Sequence, residues 1–255
     1  MSHEASLWVG GTENPQAKMR LFCFPAAGGG TLAFRGWAQQ LPSDIEVRPI
    51  RLPGREMRIG EACFDDAYQA ADALADGLSD YLDKPFAFFG HSMGSLLAFE
   101  LTRSLRRRGG PMPQILMVSG RRAPSLPLSR SLYHTLPDTQ FVDVLRTHYA
   151  GGTSETVLQE AQLMALFMPV IRADFAITDV YSYASEAPLD CPIHAFGGED
   201  EPEFGVAELD AWRNETSGYF NRTLFAGDHF YLNEASRAAL LSYIAEVLQA
   251  QLRAQ

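Results

Sequence analysis

Several features that would mark a specialised chain are scarce or missing from this 255-residue sequence. Cysteine is rare. Cys23, Cys63 and Cys191 are odd in number and far apart, with no Cys-x-x-Cys and no histidine-rich neighbourhood, so neither a disulfide framework nor a metal site is suggested. They read as buried small hydrophobes. A basic excess is also missing. Against 21 Lys and Arg stand 31 Asp and Glu, a formal net charge of −10, and that field repels a nucleic-acid backbone and an anionic membrane alike. No apolar run approaches the ~20 residues that cross a bilayer. The opening MSHEASLWVGGTENPQAK lacks the basic-then-apolar order of a secretory signal, which leads us to expect a cytoplasmic location. Internal repeats, low-complexity tracts and Gly/Pro-rich linkers are lacking, and the composition, 46% hydrophobic and 20% charged, is that of an ordinary globular chain. A single domain over residues 1–255 is therefore expected.

What is present is an alternation of short β-type runs with helical patterns, the order of a mostly parallel sheet covered by helices on both faces. The runs are Arg20 to Phe24, Ile45 to Ile50, Phe86 to Phe89, Ile115 to Ser119, Ile193 to Phe196 and Tyr219 to Phe225. Ala67, Ala71, Leu74, Leu78 and Leu82 recur at helical spacing, a second helix is predicted from about Met93 to Arg108, and a third from Glu234 to Leu252 with Asn233 as N-cap. The stretch from about 123 to 188 breaks the alternation. It reads as several helices without a strand, a helical cap inserted into the fold.

The most specific motif is Gly90-His91-Ser92-Met93-Gly94, which follows an apolar strand-like run and precedes a helix. This is the context of a nucleophile elbow, in which small residues let the backbone turn sharply enough to project the serine oxygen from the sheet edge. A serine needs a base, and the base needs an orienting carboxylate. Of six histidines, His91 lies in the elbow, His3 in the leader, His134 and His148 in the cap and His194 within a strand. His229, between the last strand and the last helix, sits where an α/β-hydrolase places its base. The acid should follow the preceding strand, in Gly197-Gly198-Glu199-Asp200-Glu201-Pro202. Asp200 is the preferred candidate, as a short acid is the commoner orienting group, with Glu201 its competitor. The oxyanion hole needs two backbone N–H groups: one from Met93 and one from Phe24-Pro25-Ala26-Ala27-Gly28-Gly29-Gly30, with Ala27 ahead of Ala26. A phosphate-binding role for those glycines fails because no GK[ST] follows.

Taken with FPAAGGG, LPGR (Leu52 to Arg55), SGRRAP (Ser119 to Pro124), LFMPVIRADF (Leu166 to Phe175) and GDHFYL, the elbow makes the chain resemble the stand-alone type II thioesterases of modular polyketide and nonribosomal peptide synthesis. The resemblance runs nearly end to end. It implies an α/β-hydrolase fold with a lid, no cofactor, and hydrolysis of acyl groups from the phosphopantetheine arm of acyl or peptidyl carrier proteins by a monomer. Two departures are Gly227-Asp228-His229, where the family often has Gly-Gly-His, and the extra acid in GGEDEP. Leu126, Leu128, Phe141, Leu145, Leu163, Phe167 and Met168 are candidates for an apolar acyl wall, though helix packing explains any one of them better. Carrier proteins are usually acidic, so docking would use a local basic patch: Arg103 with Arg106, Arg107 and Arg108, or Arg121 with Arg122. A medium-chain fatty acyl thioesterase or a carboxylesterase would share the elbow and the triad, and a non-catalytic binding module would share the fold.

Overall fold

Strands buried on both faces alternate between two helical layers, because successive side chains of a strand point to opposite sides. The computed structural model describes residues 5–128, 130–153, 155–233 and 236–253, and His3 and Glu234 lie outside them. Six strands, β1 (Met19–Phe24), β2 (Ile45–Pro49), β3 (Phe86–His91), β4 (Leu116–Ser119), β5 (Ile193–Gly198) and β6 (Phe220–Phe225), pair in the order β2-β1-β3-β4-β5-β6. Every pairing is parallel. The helices are α1 (Ala5–Trp8), α2 (Trp37–Gln40), α3 (Ala67–Gly77), α4 (Met93–Arg107), α5 (Asp138–Thr147), α6 (Glu155–Gln159), α7 (Ala161–Asp179), α8 (Val206–Asp210) and α9 (Arg237–Arg253). Together they make the expected doubly covered α/β sheet.

The two faces can be followed residue by residue. Phe22, Phe24, Phe86, Phe88, Leu116 and Val118 pack with the apolar stripes of α3 and α4. Leu21, Cys23, Ala87, Phe89 and Met117 pack with Trp37 and with Leu240, Leu241, Ile244 and Leu248 of α9. Asp66 caps α3 by accepting the N–H groups of Tyr68 and Gln69. Asn233 does not cap α9: it ends a 3-10 turn, Tyr231–Asn233, and the helix starts at Arg237. The N-terminal segment also takes part in packing. Val9 bridges Ile50 and is buried, and the Trp8 ring lies 4.1 Å from the Arg58 guanidinium.

Between β4 and β5 the chain runs through α5, α6 and α7, and no sheet strand lies there among the described residues. This segment has its own apolar cluster, in which Phe141 and Leu145 join Tyr133, Leu158, Met164, Ile171 and Phe175. The periodicity of α5 is therefore spent on packing within the segment. Phe141 and Leu145 are core residues there, whereas Leu163 and Phe167 remain exposed.

Candidate active site

The elbow is built by β3, which pairs with β4 up to His91 opposite Ser119, and by α4, which starts at Met93. Ser92 between them has φ 55 and ψ −116, a conformation that L-residues rarely adopt and that the surroundings must hold in place. Its N–H donates to Ser119 O at 2.7 Å. The Ser95 hydroxyl reaches Gly90 O at 2.8 Å and Ser119 O at 2.9 Å, stapling the turn to β4. The two flanking glycines are sterically required. A Cβ on Gly90 would overlap Gly94 O, and one on Gly94 would overlap Phe24 O. Overpacking of this kind costs about 1–3 kcal/mol or more. Gly94→Ala should therefore lower the melting temperature by about 5–10 °C at the ~2–4 °C per kcal/mol typical of this size. Calorimetry checks this, and an unchanged transition would show that the close approach is not needed.

His229 lies in the loop after β6, and its Nδ1 faces the Glu201 carboxylate at 2.8 and 3.1 Å from the two oxygens. Both side chains are buried, 2% and 4% exposed. The sequence preferred Asp200, and the acid found against His229 is its competitor, Glu201. The Asp200 side chain is exposed, and its backbone N–H donates to Gly227 O at 3.0 Å. The chain turns on leaving β5, which exposes Glu199 and Asp200, and Glu201 is the acid of that loop that packs against His229. A Cβ on Gly198 would overlap Gly227 O and Asp228 O, so the loops carrying Glu201 and His229 touch directly. Asp228, the departure from Gly-Gly-His, accepts the Phe230 N–H at 2.8 Å and closes the turn that carries His229.

Around the imidazole, the rings of His91, Tyr149 and Phe230 each have centroids 5.0 Å from that of His229. Tyr149 comes from the helical segment, which thus reaches the candidate base. His91 packs against the candidate base and is also tied to β4. Its Nδ1 meets the Ser119 hydroxyl at 2.9 Å, which in turn meets the Tyr231 hydroxyl at 2.6 Å. Burial first, and then the neighbouring His229, hold the pKa of His91 well below the ordinary histidine value. His229 Nε2 is buried without a hydrogen-bond partner in the described residues, so it is available to a proton donor. Ser92 and His229 line one cavity of about 240 Å³, together with Arg121, Arg130, Tyr149 and Glu203. Met93 and Ala27 belong to segments in direct contact, since Gly94 abuts the backbone of Phe24 and Pro25.

Two features of the cavity were missed in the sequence. Its wall carries charged groups beside apolar ones, with Glu203 receiving His148 at 2.6 Å and Arg130 at 3.2 Å, and only Leu128 of the proposed acyl-wall residues lines it. Burial lowers the Arg121 pKa to about 10, with Arg130 and Arg122 adding to the lowering. The first basic-patch candidate is neutralised within the fold. Arg103, Arg106 and Arg107 meet Glu186 at 3.0, 2.8 and 2.8 Å, and Arg108 meets Asp76 at 2.5 Å. Glu186 lies some 80 positions away in the chain, beyond what local spacing can reveal. Among the described residues no cluster of His, Cys, Asp or Glu suits a metal ion, and no helix is long and apolar enough to cross a membrane.

The Thioesterase domain family matches residues 19–250. The chain is 41% identical over 242 residues to the gramicidin S biosynthesis protein GrsT of Aneurinibacillus migulanus, covering 95% of this chain and 93% of that one. RedJ, the thioesterase of the prodiginine biosynthetic pathway in Streptomyces coelicolor, superposes with a TM-score of 0.86 at 41% identity, covering 92% of each chain. BorB, a type II thioesterase from the borrelidin biosynthetic cluster, superposes with a TM-score of 0.84 at 37% identity, covering 94% of this chain and 97% of that one.

Proposed function

Since the chain belongs to the thioesterase domain family and is a thioester hydrolase, we propose that it is a type II enzyme of polyketide or nonribosomal peptide assembly, acting on acyl groups held on the phosphopantetheine arm of carrier proteins. The observation that carries the mechanism is the buried Glu201–His229 pair lining the same cavity as Ser92 at its strained elbow. Ser92 Oγ attacks the thioester carbonyl and passes its proton to His229 Nε2, while Glu201 holds Nδ1–H and stabilises the imidazolium. The N–H groups of Met93 and Ala27 receive the oxyanion. The tetrahedral adduct collapses as the thiol leaves with the proton from Nε2. Water then loses a proton to His229 and attacks the acyl-enzyme, and the second adduct releases the free acid as Nε2 returns the proton to Ser92 Oγ. The segment over about 123–188 acts as a lid, bringing Tyr149 to the histidine and closing the acyl cavity.

On a panel of acylated carrier proteins with bare acyl-pantetheine controls, the carrier-bound thioesters should be hydrolysed with the higher kcat/KM. Thioesters should also be preferred over matched oxygen esters. A strong preference for oxygen esters would overturn the proposal.

A further inference from the structure

The mechanism leaves two sequence motifs unused, the arginine of LPGR and the aspartate of RADF, and the fold brings both to the loop that follows β1. Arg55 and Asp174 are 8% and 1% exposed and form a two-point fork: Nη1 to Oδ2 and Nη2 to Oδ1, both at 2.7 Å. The pair does not stop at itself. Asp174 Oδ2 also accepts the Gly28 N–H at 2.7 Å, and Arg55 Nη1 donates to Gly29 O at 2.9 Å. One carboxylate on α7 and one guanidinium from the 52–55 segment therefore grip the Ala27–Gly28 and Gly29–Gly30 peptide groups. Gly28 has φ +72, and a Cβ there would meet Ile171 Cγ1 at 3.0 Å, so the loop also lies directly on α7, one turn before Asp174.

Simple adhesion of α7 does not account for this arrangement. A buried ion pair contributes little net stability, and an apolar pair of equal volume holds a helix as well or better. What an apolar pair cannot do is accept the Gly28 N–H and bind Gly29 O, which fixes the peptide planes beside Ala27. A donor in an oxyanion hole works only if its direction is set before the reaction.

We propose that Arg55 and Asp174 are a positioning pair that clamps the loop carrying Ala27 onto α7, so that the oxyanion site is formed only while this lid helix is seated. The proposal rests on the oxyanion role given to Ala27 above. It also links lid and chemistry: displacing α7 takes away the acceptor of Gly28 N–H, and the oxyanion donor beside it loses its aim.

Removing one charge leaves the other buried and unpaired, so the test removes both, in R55Q/D174N. The expected result is a kcat on butyryl-pantetheine lower by about 100-fold, the low end of the roughly 10²–10³-fold loss that follows removal of an oxyanion donor, with KM within about threefold of the parent. Two ligands separate positioning from general damage. Affinity for an acyl-pantetheine trifluoromethyl ketone, which forms a tetrahedral adduct, should fall by the same factor as kcat, while affinity for an unreactive thioether lacking the carbonyl should not change. R55K, which keeps the charge but loses the fork, should shift the same readouts in the same direction by less, and it carries the test if the double variant fails to fold. A folded double variant with kcat within threefold of the parent, or equal weakening of both ligands in either variant, would overturn the proposal. A parent enzyme inactive on every acyl-pantetheine and acyl-carrier thioester would instead overturn the proposed function.

Discussion

Ser92→Ala should abolish turnover, lowering kcat by about 10⁴–10⁶-fold, because the other members of a triad have nothing to activate once the nucleophile is gone. The fold should survive. The turn is held by the backbone bond from Ser92 N–H to Ser119 O and by the Ser95 hydroxyl, so it does not depend on the hydroxyl of Ser92. Melting temperature should therefore stay within a few degrees of the parent while hydrolysis and labelling by a fluorophosphonate disappear. The two measurements must be made on the same preparation. Hydrolysis persisting in a well-folded Ser92→Ala protein would remove Ser92 from the mechanism and with it the covalent route.

Glu201→Gln should lower kcat by about 10³–10⁴-fold, and Asp200→Asn should change it by no more than about twofold. An amide in place of the carboxylate no longer stabilises the imidazolium, and it can hold the histidine in the tautomer that carries its proton on Nε2, where it cannot accept one from serine. Glu201 is in place to act this way, with its carboxylate against Nδ1 and almost no solvent around either side chain. Asp200 is exposed and meets the neighbouring loop through its backbone, a contact that the asparagine side chain leaves untouched. Steady-state rates of the two variants on one acyl-pantetheine substrate decide the matter. A collapse in Asp200→Asn with an active Glu201→Gln would reverse the assignment.

The carboxylate shows where sequence reasoning reached its limit. The loop after β5 could be located from the apolar run that precedes it, and the choice between two adjacent acids within it could not. The chain turns as it leaves β5, and which acid faces His229 depends on how that exit packs against the loop around Gly227. The short-acid rule favoured Asp200, and the fold sets Glu201 against Nδ1. The apolar residues of the helical segment show the same limit. Helical spacing reveals that Phe141 and Leu145 share a face, and says nothing about whether that face covers a cavity or a core. They cover a core.

Local pattern alone determined the strand and helix sequence, the elbow with its serine, and the histidine loop after the final strand, because each depends on residues within a few positions of one another: apolar alternation, helical periodicity, small residues where the chain turns sharply. Long-range packing decided the rest. Glu201 meeting His229, Glu186 neutralising the arginines of α4, and Arg55 meeting Asp174 across 119 positions to hold Gly28 are contacts between segments that the sequence separates widely. For Glu201 with His229 and Arg55 with Asp174 the strength comes from burial and from angstrom-scale direction, and both exist only once the sheet has brought the loops at its carboxyl edge together.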